Sequence, residues 1–144
     1  MARQDFRFFD SLRVRWSEVD RQGIVFNGHY LTYFDVAFTE YWRETGLPDV
    51  LAQAREGHEL FVRKAAIEYL APAHFDDLLS IGVRCAEIGR SSIRFALEIY
   101  RDDALLIVGE LVYVHANTAA HKGVAVPDTW RVALASLDPA VVLR

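Results

Sequence analysis

Asp20 and Asn27 stand seven residues apart in EVDRQGIVFNGHYLTYFD, residues 18–35. A carboxylate is ionised at neutral pH unless strongly desolvated, and it can serve as a nucleophile or as a general base toward water. The aromatics after Asn27 are spaced as in a helix, and the first N–H groups of a helix have no partner within it. Those donors, together with the positive end of the helix dipole, make an anion site. An acid beside a helix start therefore has the makings of acyl hydrolysis. The donors polarise a carbonyl while the carboxylate, or a water held by it, attacks. Gly23 and Gly28 let the backbone come close to a substrate. The same residues also fit a plainer account, D-R-Q-G being an ordinary turn and Asn27 an ordinary helix cap. The second acid, Glu18, has no assigned task and reads as solvated.

Other chemistries find little support. The chain has no G-x-S-x-G elbow, Walker A loop, G-x-G-x-x-G or H-E-x-x-H. Its five histidines, at 29, 58, 74, 115 and 121, lack metal-ligand spacing, and one cysteine cannot build a structural zinc set. Cys85 lies among Ile81, Val83 and Ile88 and reads as a buried small hydrophobe. A net charge of −4, with no run rich in Lys and Arg, argues against sheathing nucleic-acid phosphates. No apolar run approaches the ~20 residues that span a bilayer. The N-terminal residues show no apolar core of secretory length, so a soluble cytoplasmic protein is expected.

The elements that must position Asp20 and Asn27 follow from periodicity. With 144 residues and a hydrophobic fraction of 52%, one packed domain over 1–144 is expected. LRVRWS (12–17) alternates as a half-buried strand, with Leu12, Val14 and Trp16 inward. From Gly28 to Thr45 the pattern is helical, with Asn27 as N-cap and Gly46 and Pro48 as stop. The helix is so widely apolar that burial on most sides is expected. After a polar linker, 47–57, the pattern is strand-like over 59–70, 78–88, 92–100 and 104–117, with a bulge expected near Ala65 and Ala66. Short links at Gly89-Arg90 and Asp102-Asp103 predict antiparallel hairpins, and a short helix is expected after Pro127. One long helix followed by a meander is an α+β arrangement, a curved antiparallel sheet around the helix.

The stretch VRWSEVDRQGIVFNGHYLTYFDVAFTEYWRETGLP resembles the signature of the 4-hydroxybenzoyl-CoA thioesterase family, hotdog-fold acyl-CoA thioesterases. The similarity lies in D-x-x-G-[IV]-V, an aromatic, three residues and Tyr, then an aromatic-rich helix, and it extends from about Leu12 to Trp130. The resemblance implies a hotdog fold, homodimers that share their sites at the interface, and often homotetramers. It places Asp20 on the catalytic carboxylate, Asn27 at the helix start whose N–H polarises the thioester, and Tyr30 on the motif tyrosine. Arg90, Ser91 and Ser92 fall where CoA phosphates are held. The acyl group would lie near Phe26, Leu60, Phe61 and Val62, each of which also suits plain core packing. No cofactor is implied, since CoA is part of the substrate. Family members often carry Tyr or His at position 27, and Asn cannot be a general base; His29 is a possible substitute. Two other activities fit the same fold, dehydration or hydration of an acyl thioester and acyl-CoA binding without turnover.

Overall fold

The computed structural model describes residues 3–144. In chain order the elements are β1 (Phe8–Arg13), α1 (His29–Thr45), α2 (Val50–Arg55), β2 (His58–Tyr69), β3 (Leu78–Ile88), β4 (Ser92–Arg101), β5 (Ala104–Asn117), β6 (Lys122–Gly123), α3 (Asp128–Leu137) and β7 (Val142–Leu143). Single 3-10 turns occupy Arg3–Asp5 and Trp16–Glu18.

Alternation builds the sheet. Leu79, Ile81, Val83 and Cys85 of β3 and Ile93, Phe95, Leu97 and Ile99 of β4 are all fully buried, because every second side chain faces the helix. β3–β4 and β4–β5 are antiparallel hairpins, as the short links predict. The main path runs β1-β3-β4-β5-β2, so β2 leaves the chain order to pair with β5 and forms an edge of the sheet. The curled sheet cups α1, whose inner face is Tyr30, Tyr33, Phe34, Ala37, Phe38, Tyr41 and Trp42. Each of the large side chains among these contributes on the order of 1.5–3 kcal/mol when fully buried. Gly46 stops the helix in a left-handed conformation (φ 71°), its N–H donating to the Arg43 carbonyl.

Gly109 shows how closely helix and sheet approach. A Cβ there would fall onto Cε2 and Cζ of the Phe34 ring and 3.2 Å from the Ala66 carbonyl oxygen. Only a residue without a side chain lets Phe34 pack this closely against β5.

Several expectations are corrected. The first strand begins at Phe8 and ends at Arg13, because the Glu18 side chain folds back onto Arg15 and closes a turn. Trp16 consequently points away from the core, 71% exposed, with its ring 5.2 Å from that of Phe75. The linker 47–57 contains α2, whose first turn is capped by Asp49 accepting from the Ala52 N–H at 2.9 Å. Six residues are too few to show a helical period. The bulge in β2 lies between Val62 and Lys64, ahead of the expected place. α1 buries one face rather than most sides, leaving Leu31 and Val36 exposed.

The segment after β5 is pinned through His115, which is buried. Its Nε2 lies 2.8 Å from Nδ1 of His58, and its Nδ1 lies 3.2 Å from the Ala125 carbonyl oxygen. Burial first, and then the neighbouring His58, pushes the His115 pKa down. A histidine with a depressed folded-state pKa binds fewer protons folded than unfolded, so stability falls as pH drops below about 6.5. We expect the urea midpoint to be lower at pH 5.5 than at pH 7, and a His115→Gln chain to lose most of that slope. Equal slopes in the two chains would assign the effect elsewhere. Glu18 and Asp77, both held below the usual carboxylate range, act at lower pH than this window.

Candidate active site

The turn that carries Asp20 is made locally. Asp20 Oδ1 accepts from the Gln22 N–H at 2.8 Å, its carbonyl accepts from the Gly23 N–H at 3.0 Å, and its own N–H donates to the Ile24 carbonyl at 2.9 Å. Gly23 sits at φ 76°, a conformation that an L side chain resists. So D-R-Q-G is an ordinary turn, and it also leaves the Asp20 carboxylate exposed at its corner. The returning limb pairs Val25 with Val19 and donates the Phe26 N–H to the Glu18 carbonyl at 3.0 Å, delivering Asn27 to the start of α1.

Asn27 is not the cap expected from its type. Gly28 is the residue preceding the helix, and no side chain caps it. The His29 N–H donates to Phe26 and the Tyr30 N–H to Asn27, at 2.9 and 3.4 Å. Among the described residues, no protein acceptor takes the N–H of Asn27 or Gly28. Asn27 and Ile24, whose carbonyl takes the Asp20 N–H, line a cleft of about 330 Å³. Ile24, Val25, Tyr30, Tyr69, Leu70 and Pro72 give it largely apolar walls. The Tyr30 ring is buried, 5.7 Å from that of Tyr69, and its oxygen accepts from the Ala73 N–H at 3.1 Å. Burial raises the Tyr30 pKa, so the phenol is neutral and braces the 71–73 segment.

Glu18 is the largest departure from expectation. Read as solvated, it is 6% exposed and bonded to Arg15 and Tyr33. Burial alone would raise its pKa, but the bonds from Arg15 and Tyr33 outweigh this and hold it below the usual carboxylate range. Nothing in the spacing distinguishes Glu18 from Asp20; the sorting comes from which acid the turn points inward. Tyr69, which lines the cleft, and Arg131, which donates to the Gly89 carbonyl, carry no signal in the sequence, each being an ordinary member of its strand or helix pattern.

The remaining candidates gather elsewhere in the chain. Leu60, Phe61 and Val62 lie in the first half of β2, eight residues from Tyr69 at Phe61, or roughly 26 Å along a strand. Phe26 is exposed beside the cleft, its ring 5.9 Å from that of His29. The β3–β4 turn is rigidly held: Gly89 accepts from Arg131 at 2.5 Å, Arg90 from the Val126 N–H at 2.7 Å, and Ser91 from the His115 N–H at 2.8 Å. Arg90 is exposed there and Ser91 and Ser92 are half-buried, at the same end of the sheet as Phe61, since Ser92 and Phe61 both pair with Val114. A second hollow of about 360 Å³ carries Glu68, Glu98 and Glu110 in its walls. That wall would repel a polyphosphate, and no residue of the Asp20 turn lines it.

An antiparallel sheet cupping one long helix, with β2 returned to the edge beside β5, is the hotdog arrangement. Residues 22–108 match the model of the thioesterase superfamily, and the chain belongs to that family. It is 29% identical over 119 residues to the acyl-CoA thioester hydrolase YbgC of Escherichia coli, covering 82% of this chain and 88% of that one. It is 26% identical over 129 residues to the acyl-CoA thioesterase YbgC of Haemophilus influenzae, covering 90% and 95%. In fold it superposes on a 1,4-dihydroxy-2-naphthoyl-CoA thioesterase from Synechocystis with a TM-score of 0.84, at 22% identity and covering 91% and 97%. The expected fold and family are borne out.

Proposed function

We propose that this protein hydrolyses acyl-CoA thioesters to a free acid and CoA. The observation that carries this reading is the pair of unsatisfied N–H groups at Asn27 and Gly28, at a helix start where Asn27 lines an apolar cleft that Ile24, at the exit of the Asp20 turn, also borders. A thioester oxygen seated against those donors gains charge in the transition state, and losing one such donor costs hydrolases roughly 10²- to 10³-fold. Since the donors are backbone groups, Asn in place of Tyr or His at position 27 leaves them intact. Asp20 either attacks the carbonyl carbon, expelling CoA thiolate and leaving an anhydride that water cleaves, or takes a proton from the attacking water. The relatives' names support this activity class.

The working unit is a homodimer, within which the substrate-contacting residues come together; pairing of dimers would give a tetramer. β2 has twelve residues, pairs with β5 on one side, and exposes Phe61, Val62 and Tyr69. An open edge of that length favours addition of another strand. Antiparallel pairing of two copies along this edge would set the Leu60–Val62 and Arg90–Ser92 region of one against the Asp20–Asn27 end of the other. Arg90 is then the cation offered to CoA phosphates, and the chemistry of the substrate fits a cytoplasmic setting.

The test is a panel of aliphatic and aroyl-CoA esters, followed by release of free CoA. We expect at least one class to be cleaved with kcat/KM above about 10⁴ M⁻¹s⁻¹; no release from any of them would overturn the reading. An Ala65→Asp chain, with like charges meeting near the twofold axis, should sediment as a folded monomer and lose turnover. A monomer that keeps full activity would show that one chain suffices.

A further inference from the structure

Glu18 has no place in the chemistry just described, yet it is the most fully bonded carboxylate near it. Oε1 accepts from the Arg15 N–H at 2.8 Å and from the Tyr33 hydroxyl at 2.9 Å. Oε2 accepts from Arg15 Nε at 3.1 Å and Nη2 at 2.5 Å. Two donors on each oxygen leave little capacity for a substrate or a water. The group therefore acts on its surroundings, and those surroundings are specific.

Its backbone carbonyl takes the Phe26 N–H, one residue before Asn27, and two residues after it the chain reaches Asp20. Tyr33 belongs to α1 and is fully buried, so its hydroxyl is a fixed point on the helix. Asp20 itself has only local bonds, to Gln22, Gly23 and Ile24, and the far side of its turn is held where the Gly23 carbonyl accepts the Phe75 N–H at 3.0 Å. The returning limb is anchored separately, the Val25 N–H donating to the Ala73 carbonyl. Among the described residues, the Glu18–Tyr33 bond is the side-chain hydrogen bond that fastens the incoming limb, Arg15–Asp20, to α1.

We infer that Glu18 and Tyr33 are the positioning pair of this site, setting the distance between the Asp20 carboxylate and the free N–H groups at the start of α1. The inference rests on the hydrolytic reading above. Neither residue touches the substrate; each acts through Asp20. A displacement of about 1 Å between reacting groups costs on the order of 10²-fold, which is the scale at stake.

The test compares Tyr33→Phe, Glu18→Gln and the double variant with wild type and Asp20→Asn on a cleaved acyl-CoA. Turnover is expressed per folded molecule, with folding followed by circular dichroism. Tyr33→Phe removes one hydroxyl and keeps the ring, so it remains informative if Glu18→Gln folds poorly. We expect kcat to fall about 10-fold in Tyr33→Phe and about 10²-fold in Glu18→Gln, with KM within about threefold of wild type. The double variant should be no worse than Glu18→Gln, because the two act as one unit. A merely structural bond would lower the melting temperature and leave kcat per folded molecule unchanged. That result in both single variants, with Asp20→Asn inactive, would overturn the positioning role and spare the hydrolytic reading. Full activity in Asp20→Asn would bring down both.

Discussion

Asp20→Asn should retain the fold and lose about 10²- to 10⁴-fold in kcat, the span that one positioned acid–base group supplies. Asparagine has nearly the same shape, and its Oδ1 can still accept the Gln22 N–H that shapes the turn. The Gly23 and Ile24 bonds involve only backbone. What changes is the chemistry: an amide neither forms an anhydride with an acyl group nor takes a proton from water. KM should stay close to that of wild type, because the cleft walls and the N–H pair are untouched. Such a split, kcat down with KM constant, marks an interaction made only in the transition state. Steady-state kinetics on the best substrate of the acyl-CoA panel provides the measurement. Unchanged kcat would remove Asp20 from the mechanism.

The second large effect is on stability. Gly109→Ala should destabilise the fold by about 3 kcal/mol, at the upper end for overpacking. The new methyl would overlap the edge of the Phe34 ring, and that ring is completely buried with no open direction to move. The backbone cannot retreat either, because Gly109 is paired with Ile67 on one side and Leu97 on the other. Phe34→Leu alone should also destabilise, through the space it leaves. Combined with Gly109→Ala it should restore part of the loss, since leucine vacates the volume the methyl needs. Urea unfolding of the four chains makes this a double-mutant cycle. Strict additivity would mean that ring and glycine do not meet.

The helix and the strands behind it were legible because each carries a long apolar pattern. In β3 and β4 a buried apolar residue recurs at every second position from Leu79 to Cys85 and from Ile93 to Ile99, and the sheet that cups α1 needs that recurrence. Local signals failed where a side chain redirected the backbone. Trp16 continues the alternation of Leu12 and Val14, but Glu18 turns the chain before Trp16 can face inward. The place of β2 beside β5 was equally hidden, since strand order is a long-range property that local patterning does not encode. For the same reason the sequence did not show that Phe61 and Ser92 lie together, both paired with Val114, while Tyr69 lies far along β2. Asn27 shows the limit of residue type: a good capping side chain is present, and the backbone uses Gly28 instead.

Cys85, the single cysteine of the chain, has a practical consequence for every kinetic experiment above. Its N–H donates to Asp138 Oδ2 at 2.9 Å, the same oxygen that accepts the Tyr41 hydroxyl at 2.5 Å. Burial, and then the charge of Asp138, pushes the thiol up to about 12. At pH 8 its thiolate, the form that reacts, is then scarcer than the thiol by about 10⁴. Dyes that report sulfhydryls by disulfide exchange will therefore register liberated CoA against a silent protein, in real time and without a blocking step. A cysteine placed by mutation on the β2 edge would be the one reactive handle in the molecule, ready for a probe of how two copies meet.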